Sequence, residues 1–415
     1  MSIFEKYNQN PSYSTAADIA EHFYSKGMHE LASLFAARSI ELRHNNIILP
    51  DCLKAAEILS ISAFYCNDTR IKKLGHEAAE AISTSAKIPY QNVDLARKNL
   101  MFYTKRLDEI AKVKRCKELS MPLKDNWNAL NPSVVRFNEG LYVVQRTVNY
   151  TIINGIYHTP NNAPITTENW LLEIDESNFD IISSKRIHQP HDWPAPVYHE
   201  VLGFEDCRAT TINGALHISS TIREASKEGM CEIVTAKVVE DSDGKLYLAD
   251  WKIQNHIRPD LHQKNWMPII NSDEYKFIYT VGPTTLLDMQ MNHKTLVASQ
   301  EFECYNHRGG SQVIPFNNGW LCITHEVEYT GKIRNYLHRF VYFDRNFVIS
   351  AVSDRFKISA FPIDFVAGMC YSADNKSLII SSGIQDNSSW LIEVSVEEVI
   401  RLLHKSNLIN SSFLE

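Results

Sequence analysis

The feature that most constrains the fold is a long series of short apolar segments separated by polar turns, from about residue 125 to residue 395. Segments such as LYVVQRTVNYTI, EIVTAKVV and RFVYFD are rich in β-branched and aromatic residues, which favour β-strands. A polar turn between two such segments recurs five times, at spacings of 75, 59, 45 and 57 residues. The five turns are Asn138-Glu139-Gly140, Asn213-Gly214, Ser272-Asp273-Glu274, Asn317-Asn318-Gly319 and Asp374-Asn375-Lys376.

These spacings predict a β-propeller. A propeller blade of four strands needs about 40–50 residues plus its loops. Five repeats of this size predict a five-bladed propeller over residues 119–396, and we expect this domain to be the catalytic one. Because short strands with regular turns also build β-sandwiches, two sandwiches are the alternative interpretation.

The first 118 residues predict helices. Apolar residues recur there at helical spacing, as in the Ala-rich segment KGMHELASLFAARSIEL. Thr15 is a candidate cap of the first helix, Pro50 starts the third, and we expect a fourth and a fifth over 70–86 and 90–112. The first and third helices begin roughly 36 residues apart, close to the ~34-residue period of tetratricopeptide repeats. The prediction is a tetratricopeptide-like domain over 1–118, with a plain helical bundle as the alternative.

The predicted fold class is therefore α+β and multidomain, with an N-terminal all-α, repeat-like domain followed by an all-β five-bladed propeller. The chain closes with SVEEVIRLLHKS, whose apolar residues recur at helical spacing. We expect a C-terminal helix and tail over residues 397–415.

Charge and composition exclude several classes of protein. The net charge of -7 argues against a nucleic acid polymer as partner. No apolar run approaches the ~18 residues of a membrane span, and the N-terminus MSIFEKYNQN has no secretory pattern. No two of the eight cysteines lie closer than 14 residues, which argues against zinc and redox motifs and favours buried, reduced thiols in a cytoplasmic protein.

Motifs for metals and nucleotide cofactors are missing from the sequence. It has no HExxH, GxSxG, P-loop or GxGxxG pattern, so we expect neither a metal nor a cofactor. The absence of strand–helix alternation disfavours nucleotide-sugar transferases of the Rossmann type.

Polar side chains cluster at the ends of the predicted inner strands. In a propeller these strands line one central channel, so residues far apart in sequence converge there. The candidate site residues are Asn131, Arg146, Asn149, Glu205, Asp206, Arg208, Lys264, Asn265, His307, Arg308, His325 and Asp386.

The sharpest motif is GFEDCR, residues 203–208. On a regular strand Asp206 and Arg208 share one face, opposite Glu205. Asp206 would then serve as a general acid or base beside a cation that binds substrate. A structural Asp206–Arg208 pair between blades is the alternative.

Two further motifs place cations beside glycine or tryptophan. In QKNWMP, Lys264 suits a phosphate, Asn265 a hydroxyl group, and Trp266 a sugar ring, although a surface turn with a buried Trp266 is also possible. In the segment from His307 to Glu326, the glycines after Arg308 would let the backbone approach a ligand closely. A tight turn with solvated charges is the alternative for that segment.

Taken in order, these motifs resemble the five-bladed-propeller carbohydrate enzymes typified by β-mannoside phosphorylases and β-mannosyltransferases. NPSVV with GLYVVQRTVNY is similar to the first-blade element of that family, and GFEDCR to its Gly-x-Glu-Asp-Pro-Arg element. KNW, RGGSQVIPFNNGWLCITHE and SSGIQDNSSWLIEV resemble three further elements. Cys207 stands where the family has proline, and Glu326 where it has glycine.

The resemblance implies a role for each matching residue. Asp206 would be the general acid, and Lys264, Arg308 and His325 would bind phosphate, with His307 as the alternative to Arg308 for a family lysine. The residues assigned to the rest of the substrate are Asn131, Arg146, Asn149, Glu205, Arg208, Asn265, Trp266 and Asp386.

The function expected is inverting glycosyl transfer between a sugar phosphate or nucleotide sugar and a glycan acceptor. Mannose as the sugar follows from the resemblance alone. A glycoside hydrolase is one alternative, and it would need Glu205 or Glu326 to activate water. A non-catalytic glycan-binding or scaffold propeller is the other, with the helices as a docking platform for a protein partner. We expect the helical region not to line the reaction centre in either case.

Overall fold

The computed structural model describes residues 3–42, 50–85, 92, 95, 96, 99, 104–153, 156–255, 257, 258, 260–270, 273–288, 292–296, 304, 306–330 and 333–404. An N-terminal helical region precedes a body built mostly of β-strands, as the sequence predicts at this level. The helices of the first region are α1 Ile3–Gln9, α2 Tyr13–Ser25, α3 His29–Leu42, α4 Pro50–Ser62 and α5 Thr69–Thr84. Among the described residues, no helix is long and apolar enough to cross a membrane.

Side-chain caps and small buried residues define the helical region. The hydroxyl of Ser12 caps α2 by accepting a bond from Thr15 N at 3.3 Å, so Thr15 lies inside the first turn and is not the cap that the sequence predicts. Asp68 caps α5 by accepting from the backbone N–H of Arg70 at 2.7 Å. Buried alanines, including Ala20, Ala36 and Ala56, dominate the helix interfaces, which allows close approach of the backbones.

The β body contains the following strands. They begin as β1 Lys105–Arg106, β2 Val113–Glu118, β3 Asn128–Phe137, β4 Gly140–Val148, β5 Thr151–Ile153, β6 Ile156–His158, β7 Ile165–Asp175, β8 Asp180–His188, β9 Val201–Leu202, β10 Glu205–Ile212, β11 Ala215–Ile222, β12 Glu232–Glu240 and β13 Leu246–Ile253. They continue as β14 Met267–Pro268, β15 Lys276–Thr280, β16 Thr285–Asp288, β17 His293–Thr295, β18 Arg308–Gly309, β19 Ile314–Phe316, β20 Gly319–Thr330, β21 Ile333–Phe343, β22 Ile349–Ser353, β23 Phe356–Lys357, β24 Asp364–Tyr371, β25 Ser377–Ile384, β26 Ser388–Ser395 and β27 Leu403–His404.

Most strands form antiparallel meanders of neighbours in sequence. The order β3-β4-β7-β8 is followed by β10-β11-β12-β13, and a short parallel pairing of β8 with β13 joins the two into one nine-stranded sheet. The two ends of this sheet meet, because Ala209 N on β10 donates to Ser133 Oγ on β3 at 2.9 Å. The sheet is therefore nearly closed on itself.

Three more groups of strands and the small hairpin β5-β6 complete the described part of the body. One is β14-β15-β16-β17 and another is built around β20 and β21. The last is β24-β25-β26-β2, in which β2, from the start of the β body, pairs with β26, near the end of the chain. The predicted turns of residues 138–140, 213–214, 317–319 and 374–376 each connect two paired, antiparallel strands of one group. The remaining turn falls partly outside the described residues, which exclude Ser272.

The start of the β body differs from the sequence prediction. Residues 92, 95, 96 and 99 are helical, but the predicted helix over 90–112 does not persist to its end. The chain forms β1, a short helix Leu107–Ile110 and then β2, so residues 113–118 belong to the β body and not to the helical region. Because β2 pairs with β26 at the far end of the chain, no local pattern reveals it. A helix at Val396–Leu402, capped by Ser395, follows the last group.

One buried side chain links the inner strands of the body. Gln312 donates to the carbonyls of Val134 on β3 at 2.9 Å and Ala209 on β10 at 2.7 Å. Its carbonyl oxygen accepts from Met369 N on β24 at 2.8 Å. Because each of these backbone groups is buried, losing a partner costs about 1–3 kcal/mol per group. Gln312 therefore holds three strand groups together around one centre.

The helical region docks on the β body through buried charges. Glu80 of α5 forms an ion pair with Arg339 of β21, and Ser83 accepts a second bond from that guanidinium at 3.2 Å. Arg339 Nε donates in turn to Glu326 at 3.0 Å. The described contacts of Glu80 thus lead to Glu326 and not to Asp206.

Candidate functional site

Two strained residues, one at the start of β10 and one on β3, create the candidate site. Asp206 has a φ of +51° and Asn131 a φ of +45°, and each lies where the register of its strand shifts. Such bulges re-aim side chains and are frequent beside active sites. Asn131 Nδ2 donates to Asp206 Oδ1 at 2.8 Å, and Arg146 donates to the same oxygen at 2.6 Å.

The bulge changes the pairing expected for GFEDCR. The carboxylate of Asp206 is held by Arg146, whereas Arg208 donates to the backbone carbonyl of Asp206 at 3.0 Å. The alternation that would place the Asp206 and Arg208 side chains on one face is broken, since positive φ is not a strand conformation. A structural Asp206–Arg208 side-chain pair is therefore not what the structure contains.

Asp206 is ionised at neutral pH. Burial by itself raises the pKa of this carboxyl, but Arg146 and the hydrogen bond from Asn131 outweigh burial and lower the pKa to about 2. The side chain is still 20% exposed, so a ligand can reach it. A carboxylate in this state can accept a proton or hydrogen bonds, but it carries no proton that it could donate as a general acid.

Arg208 brings three sequence motifs together. It is 2% exposed and donates to Gly310 O at 2.9 Å and to Asn265 Oδ1 at 3.1 Å, besides Asp206 O. These described acceptors are all uncharged. Burial lowers the pKa of Arg208 to about 10, so the guanidinium keeps its charge at neutral pH. A buried cation with neutral acceptors leaves positive charge available to an anion.

The glycines after Arg308 serve close backbone packing. A Cβ on Gly309 would lie 1.9 Å from Asn265 O, and one on Gly310 would lie 2.4 Å from Ile323 O. The approach that the sequence assigns to a ligand is therefore made by neighbouring backbone. This close backbone packing also places the Lys264-Asn265 turn directly beside Arg308.

Glu205 and Lys264 extend the charged cluster. Glu205 is 8% exposed, and its Oε2 lies 4.0 Å from both Lys264 Nζ and Arg146 NH2. Burial lowers the pKa of Lys264, but Glu205, Cys231 and Asp206 together raise it by more, so the pKa lies above its usual value. Lys264 is therefore a partly exposed cation at the rim of the cluster.

Asp386 provides a second carboxyl group, and its pKa is raised whereas that of Asp206 is lowered. Tyr150 donates to Asp386 Oδ2 at 3.1 Å. Burial raises the pKa of Asp386, and Arg146 opposes this effect only in part. Near this pair, Arg334 donates to the hydroxyl of Tyr157 at 3.2 Å. Two carboxyls whose pKa values move apart are typical of an acid and base assignment.

The predicted phosphate ligands differ in what they can contribute. Arg308 is exposed and pairs in register with His325 across β18 and β20. His325 is 2% exposed, and burial together with His338 and Arg308 lowers its pKa well below the usual value. Its ring is therefore neutral and can offer one N–H but no charge. Phe365 lies against both His325, at 5.1 Å between ring centroids, and Arg208, at 5.5 Å.

His307 and Glu326 belong to a different cluster. His307 Nε2 lies 3.4 Å from Glu326 Oε1, and Arg355 holds the other Glu326 oxygen at 2.5 Å. Burial raises the pKa of Glu326, but Arg355, His307 and Arg339 lower it well below its usual value. Glu326 is 2% exposed and fully paired, so it is not available to activate water.

Asn149 and Trp266 have structural roles. Asn149 donates to Pro164 O at 2.9 Å and accepts from Thr166 N at 2.7 Å, so both ends of its amide bind local backbone. Trp266 is 2% exposed and packs in the core against Phe277 at 5.4 Å, which leaves no face for a sugar. The alternative of a buried Trp is the correct one.

Sequence reasoning missed Tyr150, Tyr157 and Arg334. Tyr150 directly follows Asn149 at the end of an inner segment, so the rule that selected Asn149 also applies to it. Arg334 lies at the start of a strand, in a stretch that no motif covers. Among the described residues, one group could hold a metal, namely His76, Glu80 and Asp354, whose ligand atoms lie within 4.8 Å of one another. Glu80 is already paired with Arg339, a cation that opposes metal binding.

No protein-family model matches the sequence, and no curated protein is similar to it. Several solved structures resemble the β body. One is a β-1,2-mannobiose phosphorylase from Listeria innocua, at 14% identity over 68% of this chain and 94% of the other, with a TM-score of 0.47. Another is a mannose phosphorylase from Leishmania mexicana in complex with phosphate, at 12% identity over 72% and 95%, with a TM-score of 0.45.

A third similar structure is a GH43_1 enzyme from Xanthomonas citri complexed with xylotriose, at 10% identity over 69% of this chain and 91% of the other, with a TM-score of 0.45. At these scores and identities the similarities carry no inference about the chemistry of this chain.

Proposed function

We propose that the β body is a single five-bladed propeller and that it is the catalytic domain. The five strand groups would be its five blades, with β2 closing the last blade, so the domain would begin near residue 113. Helices α2–α5 would form two tetratricopeptide-like hairpins that dock on the propeller and bind a protein partner. The cytoplasmic location stays a prediction, supported by the burial of seven of the eight cysteines.

We propose that this protein transfers a glycosyl group between a sugar phosphate or nucleotide sugar and a glycan acceptor. The observation that carries the proposal is the buried guanidinium of Arg208, whose described acceptors are all neutral, beside the carboxylate of Asp206. A phosphate is the anion that would complete the hydrogen bonding of such a group. Mannose is the proposed sugar because of the motif resemblance.

The charge balance of the cluster supports an anionic ligand. The four cations Arg146, Arg208, Lys264 and Arg334 outnumber the three carboxyl groups of Glu205, Asp206 and Asp386 by one. Arg308 adds a further positive charge at the rim. A phosphate bound to Arg208 and Lys264 would neutralise this excess of positive charge. It would also weaken the electrostatic attraction between these cations and the Asp206 carboxylate.

The proposed transfer step follows from this placement. An acceptor hydroxyl oxygen forms the new bond to the anomeric carbon, and its proton passes to the carboxylate of Asp206. The bond between the anomeric carbon and the phosphate oxygen breaks, and its electron pair leaves with the phosphate, which Arg208 and Lys264 stabilise. In the reverse direction, protonated Asp206 returns the proton to the leaving oxygen, as the resemblance implies.

A glycoside hydrolase is the second candidate, and one observation favours it. Asp386 has a raised pKa and Asp206 a lowered one, which is the relation between acid and base in inverting glycosidases. Asp386 would then protonate the leaving oxygen, and Asp206 would activate water on the other side of the sugar.

The two candidates separate in one experiment. The full-length protein is incubated with simple β-mannosides, with and without inorganic phosphate, and with mannose 1-phosphate or GDP-mannose plus a mannoside acceptor. Glycosyl transfer predicts mannose 1-phosphate formation that requires phosphate, or acceptor elongation with release of phosphate or nucleotide. Phosphate-independent release of mannose would establish the hydrolase, and binding without any turnover would contradict both and favour a non-catalytic propeller.

A further inference from the structure

A second cleft opens beside the Asp206 site, between the first two meanders of the nine-stranded sheet. Its volume is about 580 Å³, within the roughly 300–1,000 Å³ range of small-molecule sites. The start of β7, the end of β8 with the loop that follows it, Gly203 and Tyr247 form its walls. We propose that this outer cleft binds a neutral sugar residue of the glycan substrate, a role that rests on the glycosyl transfer proposed above.

The outer cleft and the Asp206 site share a wall. Thr167 lines the cleft, and its hydroxyl accepts bonds from Nε and NH2 of Arg146, both at 3.3 Å. The third nitrogen of the same guanidinium holds Asp206 at 2.6 Å. Thr167 and Arg146 are thus the two side chains between the outer cleft and the Asp206 carboxylate. We place the terminal residue of the glycan at Asp206 and a following residue in the cleft.

The arginine that lines the outer cleft is paired with a carboxylate, in contrast to Arg208. Arg186 lies 2.8 Å from the carboxylate of Glu168. Glu224 accepts from Trp193 Nε1 at 2.5 Å and from Gly203 N at 2.8 Å. Burial and the nearby Arg186 lower the pKa of His188, so that its ring is neutral at physiological pH. This charge balance suits an uncharged ligand and not a phosphate.

The lining also offers the groups that bind sugars. Tyr247 stacks on His188 at 5.1 Å and on His191 at 4.2 Å between ring centroids, which gives a flat aromatic group along one wall. Asn169 is 6% exposed and donates to Phe204 O at 2.8 Å, but its Oδ1 is buried with no hydrogen-bond partner among the described residues. A sugar hydroxyl is a neutral donor that would satisfy this oxygen.

The test measures binding without turnover. Titration calorimetry with mannose 1-phosphate and with β-linked mannotriose is carried out on the full chain carrying Asp206→Asn, alone and combined with His191→Ala or Asn169→Ala. His199→Ala is the matched control, because His199 is an exposed histidine of the same loop that does not line the cleft. We expect at least tenfold weaker mannotriose binding for both cleft variants, with mannose 1-phosphate affinity within twofold and no effect of His199→Ala.

Unchanged mannotriose affinity in the His191→Ala variant, or no mannotriose binding at all, would overturn the proposal. Because His191 is exposed, its variant gives an answer even if the Asn169→Ala protein fails to fold. Failure of the cleft is distinguishable from failure of the proposed function. A cleft that binds mannotriose in a protein without turnover contradicts only glycosyl transfer, and turnover with unaffected mannotriose binding contradicts only the cleft.

Discussion

Two carboxylates in this molecule are each flanked by arginines, and their surroundings differ. Glu326 is 2% exposed, lies on a regular strand, and is held through both oxygens by Arg339 and Arg355. Asp206 is 20% exposed, has a positive φ, and is held through one oxygen by Arg146 and Asn131. The same residue types therefore build a closed ion cluster in one place and an open, strained one in the other.

The difference teaches how to separate a structural from a functional carboxylate. Near Glu326 the described arginines are paired with carboxylates, one of them Glu80 of the helical region. Near Asp206 the buried Arg208 has only neutral described acceptors. Backbone strain beside a buried guanidinium whose described hydrogen-bond acceptors are all neutral is typical of a functional site.

The largest expected effect is the loss of activity in Asp206→Asn. The change keeps size and one acceptor oxygen but removes the group that takes the proton, so we expect the rate to fall by about 10²–10⁴. The melting temperature should also fall, because Arg146 loses its charged partner. Activity assays on the folded variant check this, and an early-melting variant with normal specific activity would show that Asp206 is structural after all.

Glu326→Gln should show the reverse pattern, with a large loss of stability. Arg339 and Arg355 would be left as buried, incompletely paired cations, a change that typically costs about 3–5 kcal/mol. Denaturant unfolding measures the effect. Glu240→Gln is the control, because its pair with Lys185 is 51% exposed at Glu240 and should contribute at most about 1 kcal/mol. Similar small losses in both variants would contradict the contrast between the two clusters.

Acid should weaken the wild type more than Asp206→Asn. The pKa of Asp206 is lowered to about 2 in the folded protein, so its charge stabilises the fold above its unfolded pKa of about 3.9, and this contribution is lost as the pH falls toward 2. The lowered pKa of Asp206 therefore contributes about 2 kcal/mol to the unfolding free energy of the wild type at neutral pH. Because asparagine does not ionise, the difference in unfolding free energy between the two proteins should shrink from about pH 5 to pH 2. A constant difference would show that Asp206 has an ordinary pKa.

The smallest predicted effect concerns Lys264, which is 44% exposed. Lys264→Ala should weaken binding of a phosphorylated sugar by roughly tenfold and leave the uncharged sugar nearly unaffected, because a partly solvated charge contributes little. The exposed Lys276→Ala serves as the control. Equal weakening of both ligands would remove Lys264 from the proposed phosphate site.

Much of the candidate site can be predicted from the sequence, because polar residues at the ends of separate strands lie close together in the folded protein. Arg208 joins Asp206, Asn265 and Gly310, which come from three separate motifs, as the strand-end rule expects. The bulge at Asp206 could not be predicted, since a positive φ at aspartate has no reliable local signature. The sequence leaves the burial of Trp266 as one of two alternatives, because the rings that cover it come from the following strands.

Long-range pairing explains the remaining differences. His307 and Glu326 have the composition of an anion site, but Arg339 and Arg355 close the cluster, and Glu80 reaches it from the helical region. The sequence places residues 113–118 in the helical region, because the partner of β2 is β26 at the other end of the chain. Local patterns predict which residues are polar and where strands end, but not which distant charges neutralise them.

The central claim is that Arg208 holds positive charge for a phosphorylated ligand, and titration calorimetry tests it most directly. Mannose 1-phosphate and mannose are titrated into the wild type and into Arg208→Gln, with thermal melts to verify folding. Losing a buried, charge-assisted contact costs on the order of 2–5 kcal/mol, so the phosphorylated sugar should bind roughly 30-fold to 4,000-fold more weakly to the variant. Mannose should bind both proteins alike, whereas equal losses for the two ligands, or no preference for the phosphate in the wild type, would contradict the claim.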